Sequence, residues 1–595
     1  PVSAVARVEV LPEEASLAYG FAADQRVLNF VLKRNVNITT LTVRGGGSLE
    51  GAGQSGEIDG QFLKVDGARR FSLDGALGGR EAVREAERDL VFADGSAGSP
   101  TRTLAPQTRD RSAGFSASLG LPGEATATLS GSLEDQRSEA LSGLDTITGD
   151  VAAQVTETQD LFAGLTLASG VGRSTWTVTG SFADRDQETL TLAAGSAQNL
   201  RKARLSRQDW QGNAVRNQRL ADLAAGPLSL SGSLDIRRER QKSAVSAGLN
   251  AGPNTGPNTG PNTGTSETAS AIARDAFEAG FSLEVPILAP TPIPGEFGLT
   301  VNAEARRLSD FGWLTTRGLG LRWKPVPSVR LLLSTTHEET APSLADLSAP
   351  EVIIPDARIF DFLAGEDRLA ALVTGGNPDL LAGRRRVVNV GVQWAPSDEP
   401  RLSVNLDYTR ARTDNDTRRF AVLTPEFAAA FPERVTRGPA GELLAFDLRP
   451  VQAAQGSRDE LRTAITFSKR LKTKRKRRRV DSPPTKRRRS GRPGSLRISA
   501  VHRLTLRDQV QLAETGEGGK LDLLRGAAIE QPGGTARHQL DVSAYRWKYG
   551  FGLAAIARYQ SATRVDNPAG RLRFSRLATF GFRTTYEFNY SDAIL

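Results

Sequence analysis

The stretch STWTVTGSFADR, residues 174–185, decides how the chain folds. Trp176, Val178 and Gly180 alternate with Thr175, Thr177 and Thr179, so one face is apolar and the other hydroxylated. A period of two is the mark of a β-strand, whose successive side chains point to opposite faces. The same alternation runs through RLSVNLDYTRARTD (401–414), where Leu402, Val404, Leu406 and Tyr408 oppose Arg401, Ser403, Asn405 and Asp407. It returns in RVVNVGVQW (386–394) and TARHQLDVSAYRWKYGFGLAAIARYQ (535–560). These segments predict about twenty strands of roughly ten residues, each with one apolar and one polar face.

Such strands suit either stacked soluble sandwiches or a barrel that turns its apolar face to lipid and its polar face to a lumen. The connections separate the two. Short turns fall at 64–69, 121–124, 169–173, 224–227, 289–296, 324–328, 395–400 and 548–550. Between them lie long links at 82–111, 134–154, 185–215, 243–275, 338–384, 414–457, 509–537 and 561–574. In an up-and-down barrel alternate links lie on opposite ends, so the long links share one end. Short periplasmic turns and long extracellular loops are what outer-membrane barrels show; sandwiches have no reason to keep this parity. The fold class predicted is all-β: a transmembrane antiparallel up-and-down β-barrel. No run of about 18 apolar residues suggests a membrane-spanning helix. Aromatic residues make up 6% of the chain, so the aromatic girdles at the two interfaces are expected to be sparse.

The formal charge of +10 suggests a basic protein, but its distribution does not. Lys469 to Arg492 holds 14 basic residues and one acid, Asp481, a local net of +13; taking +13 from +10 leaves −3 for the rest. TKRKRRRVDSPPTKRRRS (473–490) lies between the strands ELRTAITFS (460–468) and SLRISAVHRLTL (495–506), at a short-turn position by parity. It is expected to be a disordered basic insertion, 469–494, in a periplasmic turn. No aromatics interleave its charges, and nucleic acid is not an expected partner. The triplicated GPNTGPNTGPNT (252–263) falls in a long link, read as an extracellular loop over 243–275.

With no cysteine, disulfides, thiolate metal sites and cysteine nucleophiles are excluded. His337, His502 and His538 are too dispersed in sequence to suggest a metal cluster. GEGGKL (516–521) lacks the spacing and the Ser/Thr of a phosphate-binding loop. No enzyme, cofactor or metal is expected.

RVEVLPEEASLAYGFAADQRVLNFVLK (7–33) resembles the end of the plug domain of TonB-dependent outer-membrane receptors. Arg7 to Leu11 match the family's R-I-E-V-L block; Ala15, Tyr19 and Gly20 match A-x-x-Y-G; Val27 to Val31 with Lys33 match V-I-N-I-x-x-K. Glu13, Gln25 and Arg26 stand where the family usually has glycine, which implies a divergent subgroup. TAPSLADL (340–347) resembles the family's A-P-S-x-x-E-L block, and GGNPDL (375–380) its G-N-P-x-L block before a barrel strand. The loop and strand after residue 423 look like receptors of this kind from sphingomonad-type bacteria.

The resemblance implies a plug segment at 1–35, with Arg7, Glu9, Tyr19, Gly20 and Asn29 as its motif residues, and a barrel over 36–595. Pro342, Ser343, Gly376, Asn377 and Pro378 are the barrel motif residues. It also implies 22 strands. Against a count of about twenty, and a chain that opens on Pro1, the sequence is expected to be a fragment lacking the first part of the plug and the last strands. The function implied is TonB-energised import of a scarce solute such as a siderophore, by a monomer in the bacterial outer membrane. Its implied partners are outer-membrane lipid, a small-molecule ligand and the inner-membrane TonB complex, reached through a missing N-terminal segment. The ligand-binding residues are not readable. The alternative is a passive or adhesive barrel, or a non-functional remnant.

Overall fold

The structure is a computed structural model that describes residues 5–10, 28–32, 35–48, 51–90, 97–144, 151–192, 200–248, 265–289, 294–361, 364–398, 400–420, 423–471, 494–512, 519–529, 533–548, 551–567 and 570–586. One antiparallel sheet, curled into a barrel, dominates it. Its first ten strands are Asn35–Gly46, Ser55–Asp66, Arg69–Arg80, Gln107–Leu121, Ala125–Leu144, Val151–Val171, Ser174–Leu192, Leu200–Leu223, Gly226–Gly248 and Thr265–Leu288. Ten more follow: Glu296–Leu308, Gly312–Val326, Val329–Thr340, Gly383–Asp398, Arg401–Arg418, Val451–Leu471, Gly494–Gln511, His538–Lys548, Phe551–Gln560 and Leu577–Tyr586. Each pairs with its predecessor, so the wall is an unbroken meander. Among the described residues no ladder joins Asn35–Gly46 to Leu577–Tyr586, and all ten residues of the latter are exposed.

The link parity holds around the wall. Two residues, 67–68, 172–173, 224–225 and 327–328, turn the chain at one end. The spans 81–106, 341–382, 419–450 and 512–537 cross the other. The exceptions are 309–311, a three-residue link at the long-link end, and the long span 472–493 at the short-turn end.

Two expectations need correction. Most wall strands are longer than ten residues, although Phe551–Gln560 and Leu577–Tyr586 have ten; Leu200–Leu223 and Thr265–Leu288 each have 24. They therefore run into the links expected at 134–154, 185–215 and 243–275, and leave only 145–150, 193–199 and 249–264 outside them. The cause is visible in the side chains. On Ser174–Leu192 the outward positions change from Val178, Gly180 and Phe182 to Asp184, Asp186 and Glu188. Beyond the apolar belt both faces are polar, so the alternation vanishes although the strand continues. Of the basic insertion expected over 469–494, residues 472–493 lie outside the described residues, as does the GPNT repeat, while Lys469, Arg470, Leu471 and Gly494 belong to the flanking strands.

Inward and outward faces separate cleanly. Along Gly226–Gly248, Leu234, Ile236, Arg238, Arg240 and Lys242 are exposed, whereas Glu239, Gln241 and Ser243 are buried. Cross-strand register joins the outward apolar positions into rows such as Leu129, Leu165, Gly180, Gly212, Ile236 and Phe277. Five of the six tryptophans, Trp176, Trp210, Trp313, Trp323 and Trp394, are exposed. Trp176, Trp323 and Trp394 stand within four residues of a strand end at the short-turn rim, as an interfacial girdle requires. Separately from the wall, Val5–Val10 and Leu28–Leu32 form an antiparallel hairpin.

Candidate functional site

The site is the long-link mouth of the barrel, where loops fold into a cap. Two loop segments far apart in sequence dock there on each other and on the wall. Ser343 caps the short helix Leu344–Ser348: its Oγ accepts the Asp346 amide at 3.1 Å. This satisfies one of the free N–H groups at a helix start. Leu344 and Leu347 bury with Leu380, against Ile272 and Phe311.

The second segment closes over this helix. The Gly376 amide donates to Ala349 O (2.9 Å) and the Asn377 amide to Asp346 O (2.6 Å). A Cβ on Gly376 would lie 2.5 Å from the Ser348 amide nitrogen, so only glycine permits this approach. The Asn377 side chain donates to Pro450 O (2.8 Å) and accepts the Asp379 amide (3.1 Å), while Pro378 opens a turn. Pro342, Ser343, Gly376, Asn377 and Pro378 thus meet in one loop knot.

Two wall residues that the sequence did not single out hold the knot. Gln241, 1% exposed, donates to Leu344 O (3.2 Å) and Ser348 Oγ (2.8 Å). Arg274 grips Asp310 through Nε and Nη2 (2.9 and 2.7 Å) and donates to Pro342 O (2.9 Å). Its guanidinium also lies over the Phe311 ring, 5.4 Å from the centroid. Both project from the inward face, where they look in sequence like any other lumen residue; no local signal distinguishes them.

Behind the knot the cap has a hydrophobic core: Phe420, Leu423, Phe427, Leu443, Phe446, Val451, Val510, Leu521 and Ile529 all bury there. Val352–Asp361, Glu366–Thr374, Leu443–Asp447 and Val435–Arg437 form its four-stranded sheet. Asp361, 1% exposed, accepts both Nη groups of Arg437 (2.7 and 2.9 Å). Burial alone would raise the Asp447 carboxyl. Hydrogen bonds from the Arg449 side chain and amide and from Arg434 more than offset this and hold it below the usual carboxylate range. Loop 81–106 joins the cap through Arg102, which donates to Asp356 O at 2.8 Å.

Below the knot a cavity of about 650 Å³ opens in the lumen, lined among others by Thr177, Thr179, Asn213, Asp235, Arg237, Glu239, Arg274, Glu278 and Arg306. Most of its charges are paired: Arg207 with Glu239 (2.7 Å), Arg237 with Asp209 (2.9 Å) and Arg306 with Glu278 (2.5 Å), while Asp235 accepts from Gln211 Nε2 (2.7 Å). The cavity is therefore polar. Among the described residues no group of three or more His, Cys, Asp or Glu is placed to hold a metal ion. The histidines are less dispersed than the sequence suggested: His502 Nε2 and His538 Nδ1 lie 3.2 Å apart, because antiparallel pairing sets Leu504 opposite His538.

The plug motif cannot be followed as far. Glu9 pairs with Asn29 and Arg7 with Val31 in the hairpin backbone; Tyr19 and Gly20 lie outside the described residues.

A barrel with an outward apolar belt, a polar lumen and a folded loop cap is an outer-membrane protein of the receptor kind. The family model for the TonB dependent receptor-like β-barrel matches residues 87–460, and the chain belongs to that family, whose members are outer-membrane transport receptors. No curated protein matches in sequence. In fold the chain is similar to the siderophore receptor PirA from Acinetobacter baumannii, with TM-score 0.62, 12% identity, 99% of this chain and 80% of that one covered. It is also similar to a variant of the ferric enterobactin receptor PfeA from Pseudomonas aeruginosa, with TM-score 0.61, 14% identity and coverage of 99% and 78%. The chain is a receptor for TonB-energised import across the outer membrane of Gram-negative bacteria.

Proposed function

We propose that the cargo is a ferric siderophore, taken at the loop cap and passed into the polar cavity beneath it. The family match across wall and cap together carries this reading. The solved structures similar in fold, described as siderophore and ferric enterobactin receptors, support the cargo class. In this reading the short-turn end is periplasmic, with the 469–494 insertion on it, and the long-link end, with 243–275, is extracellular. Residues 1–35 are the end of the plug, with Arg7, Glu9, Tyr19, Gly20 and Asn29 as plug structure, and 36–595 the wall and its loops. Pro342, Ser343, Gly376, Asn377 and Pro378 serve the cap as structure and touch no cargo. No bond of the cargo is made or broken. The outward apolar belt suits a monomer surrounded by lipid.

The test is uptake of radioiron-loaded siderophores by iron-starved cells carrying the full-length gene, with the TonB complex intact or deleted. The expected result is accumulation that requires both the receptor and the complex. Uptake that is equal without the complex marks a passive barrel and overturns the proposal.

A further inference from the structure

The outward wall carries a groove that import does not use. Its floor is a pair of cross-strand glycines, Gly180 and Gly212. On the same row, Leu165 and Ile236 rise on either side. The row above supplies a roof, Phe182 and Trp210, with ring centroids 4.3 Å apart. The depression holds about 730 Å³, room for an acyl chain, and is lined mainly by apolar side chains, with Arg238 and Asp275 among its polar lining. A flat belt needs no notch; two adjacent glycines create one in the middle of a row of large side chains.

Directly above Ile236 the same face becomes cationic. Arg238, Arg240 and Lys242 occupy three successive outward positions, about 7 Å apart by strand geometry, and all are exposed. Arg238 lines the groove and contacts Asp275 at 3.4 Å. Arg240 stands between Gln208 and Ala273, and Lys242 between Ser206 and Ala271. Neither has an acid directly opposite. The neighbouring outward cations are already spoken for: Arg204 by Asp186 (3.1 Å) and Lys202 by Glu188 (2.7 Å).

We propose that this face binds a phosphorylated membrane lipid of the outer leaflet, with an acyl chain in the Gly180–Gly212 groove and the phosphate on Arg240 and Lys242. An apolar slot continuous with exposed cations at the edge of the belt matches the two halves of such a lipid. Guanidinium and ammonium groups are the side chains suited to phosphate. The site lies outside the lumen and is independent of which cargo is imported.

The test uses the full-length barrel in lipid-free detergent and native mass spectrometry with phosphatidic acid. Diacylglycerol of the same chains and inorganic phosphate serve as controls. Phosphatidic acid is expected to stay bound while diacylglycerol does not. Arg240→Gln with Lys242→Gln should weaken retention about tenfold or more, the scale of losing charge-assisted hydrogen bonds. Gly180→Leu should do likewise by filling the slot; a Cβ there meets nothing within 4 Å, so the wall tolerates it. Arg137→Gln, an outward cation away from the groove and already paired with Glu157, should change nothing. Retention unaffected by both site variants overturns the proposal. So does equal binding of diacylglycerol, inorganic phosphate that competes as well as the lipid, or a Gly180→Leu variant that alters only self-association.

Discussion

The wall and the cap of this receptor are held together in opposite ways. In the wall, large apolar side chains such as Ile58, Leu77, Leu234 and Phe281 point outward and stay exposed in the isolated chain. Its order comes from continuous ladders, because every backbone group that faces lipid must be paired within the sheet. The cap reverses this. Phe420, Phe427, Phe446, Leu344 and Leu423 are among the largest fully buried side chains of the described residues, and all lie in the long links. A sheet held by its own ladders needs no core if lipid covers it, whereas loops standing in water must bury apolar area to offset the entropy of ordering them.

The largest effect is expected in the cap. Phe427→Ala should cost about 3–5 kcal/mol of cap stability, with the cap links becoming protease-sensitive while the wall stays folded. Next comes the wall. Leu321→Arg places a charge on the apolar belt and should cost about 2–4 kcal/mol if it sits at the midplane. It should read out as lost heat-resistant mobility on gels, with no change in the cap of the molecules that still fold. Gly376→Ala should cost about 1–3 kcal/mol, loosening the knot beneath Leu344–Ser348 and raising amide exchange there alone.

The pH response should also divide. Asp447 lies below its usual range in the folded cap, so its contribution is present above the unfolded value of about 3.9 and is lost as pH falls through the lower folded value. Cap stability should be flat from neutral pH down to about 4 and decline below it; Asp447→Asn should remove that acid limb. A decline already complete by pH 6 contradicts the assignment. The smallest effect belongs to the exposed pair Arg137 and Glu157, 2.7 Å apart, where Arg137→Ala should change stability by less than about 0.5 kcal/mol.

The same division governs what the sequence reveals. Wall strands are legible where lipid and lumen impose opposite chemistry on alternate residues, as at Trp176, Thr177, Val178 and Thr179. They become illegible above the belt, where Asp184, Asp186 and Glu188 face water and the alternation disappears. The cap core was not legible at all, because Phe420, Phe427 and Phe446 have no period and meet only through tertiary packing. Pro342, Ser343, Gly376, Asn377 and Pro378 stood out through family resemblance, yet the sequence alone did not show that they form one knot. Gln241 and Arg274, which anchor it, carry no mark of their own. The His502–His538 contact was hidden by 36 residues of sequence that antiparallel pairing brings together.

A ladder-held wall and a core-held cap should behave as separate stability units. Hydrogen exchange on the full-length protein in lipid nanodiscs, comparing the native chain with Phe427→Ala, tests it most directly. The expected result is loss of protection across 352–374 and 435–447 while strands Thr265–Leu288 and Arg401–Arg418 keep theirs. Loss of protection in wall and cap together, in one cooperative step, would contradict it.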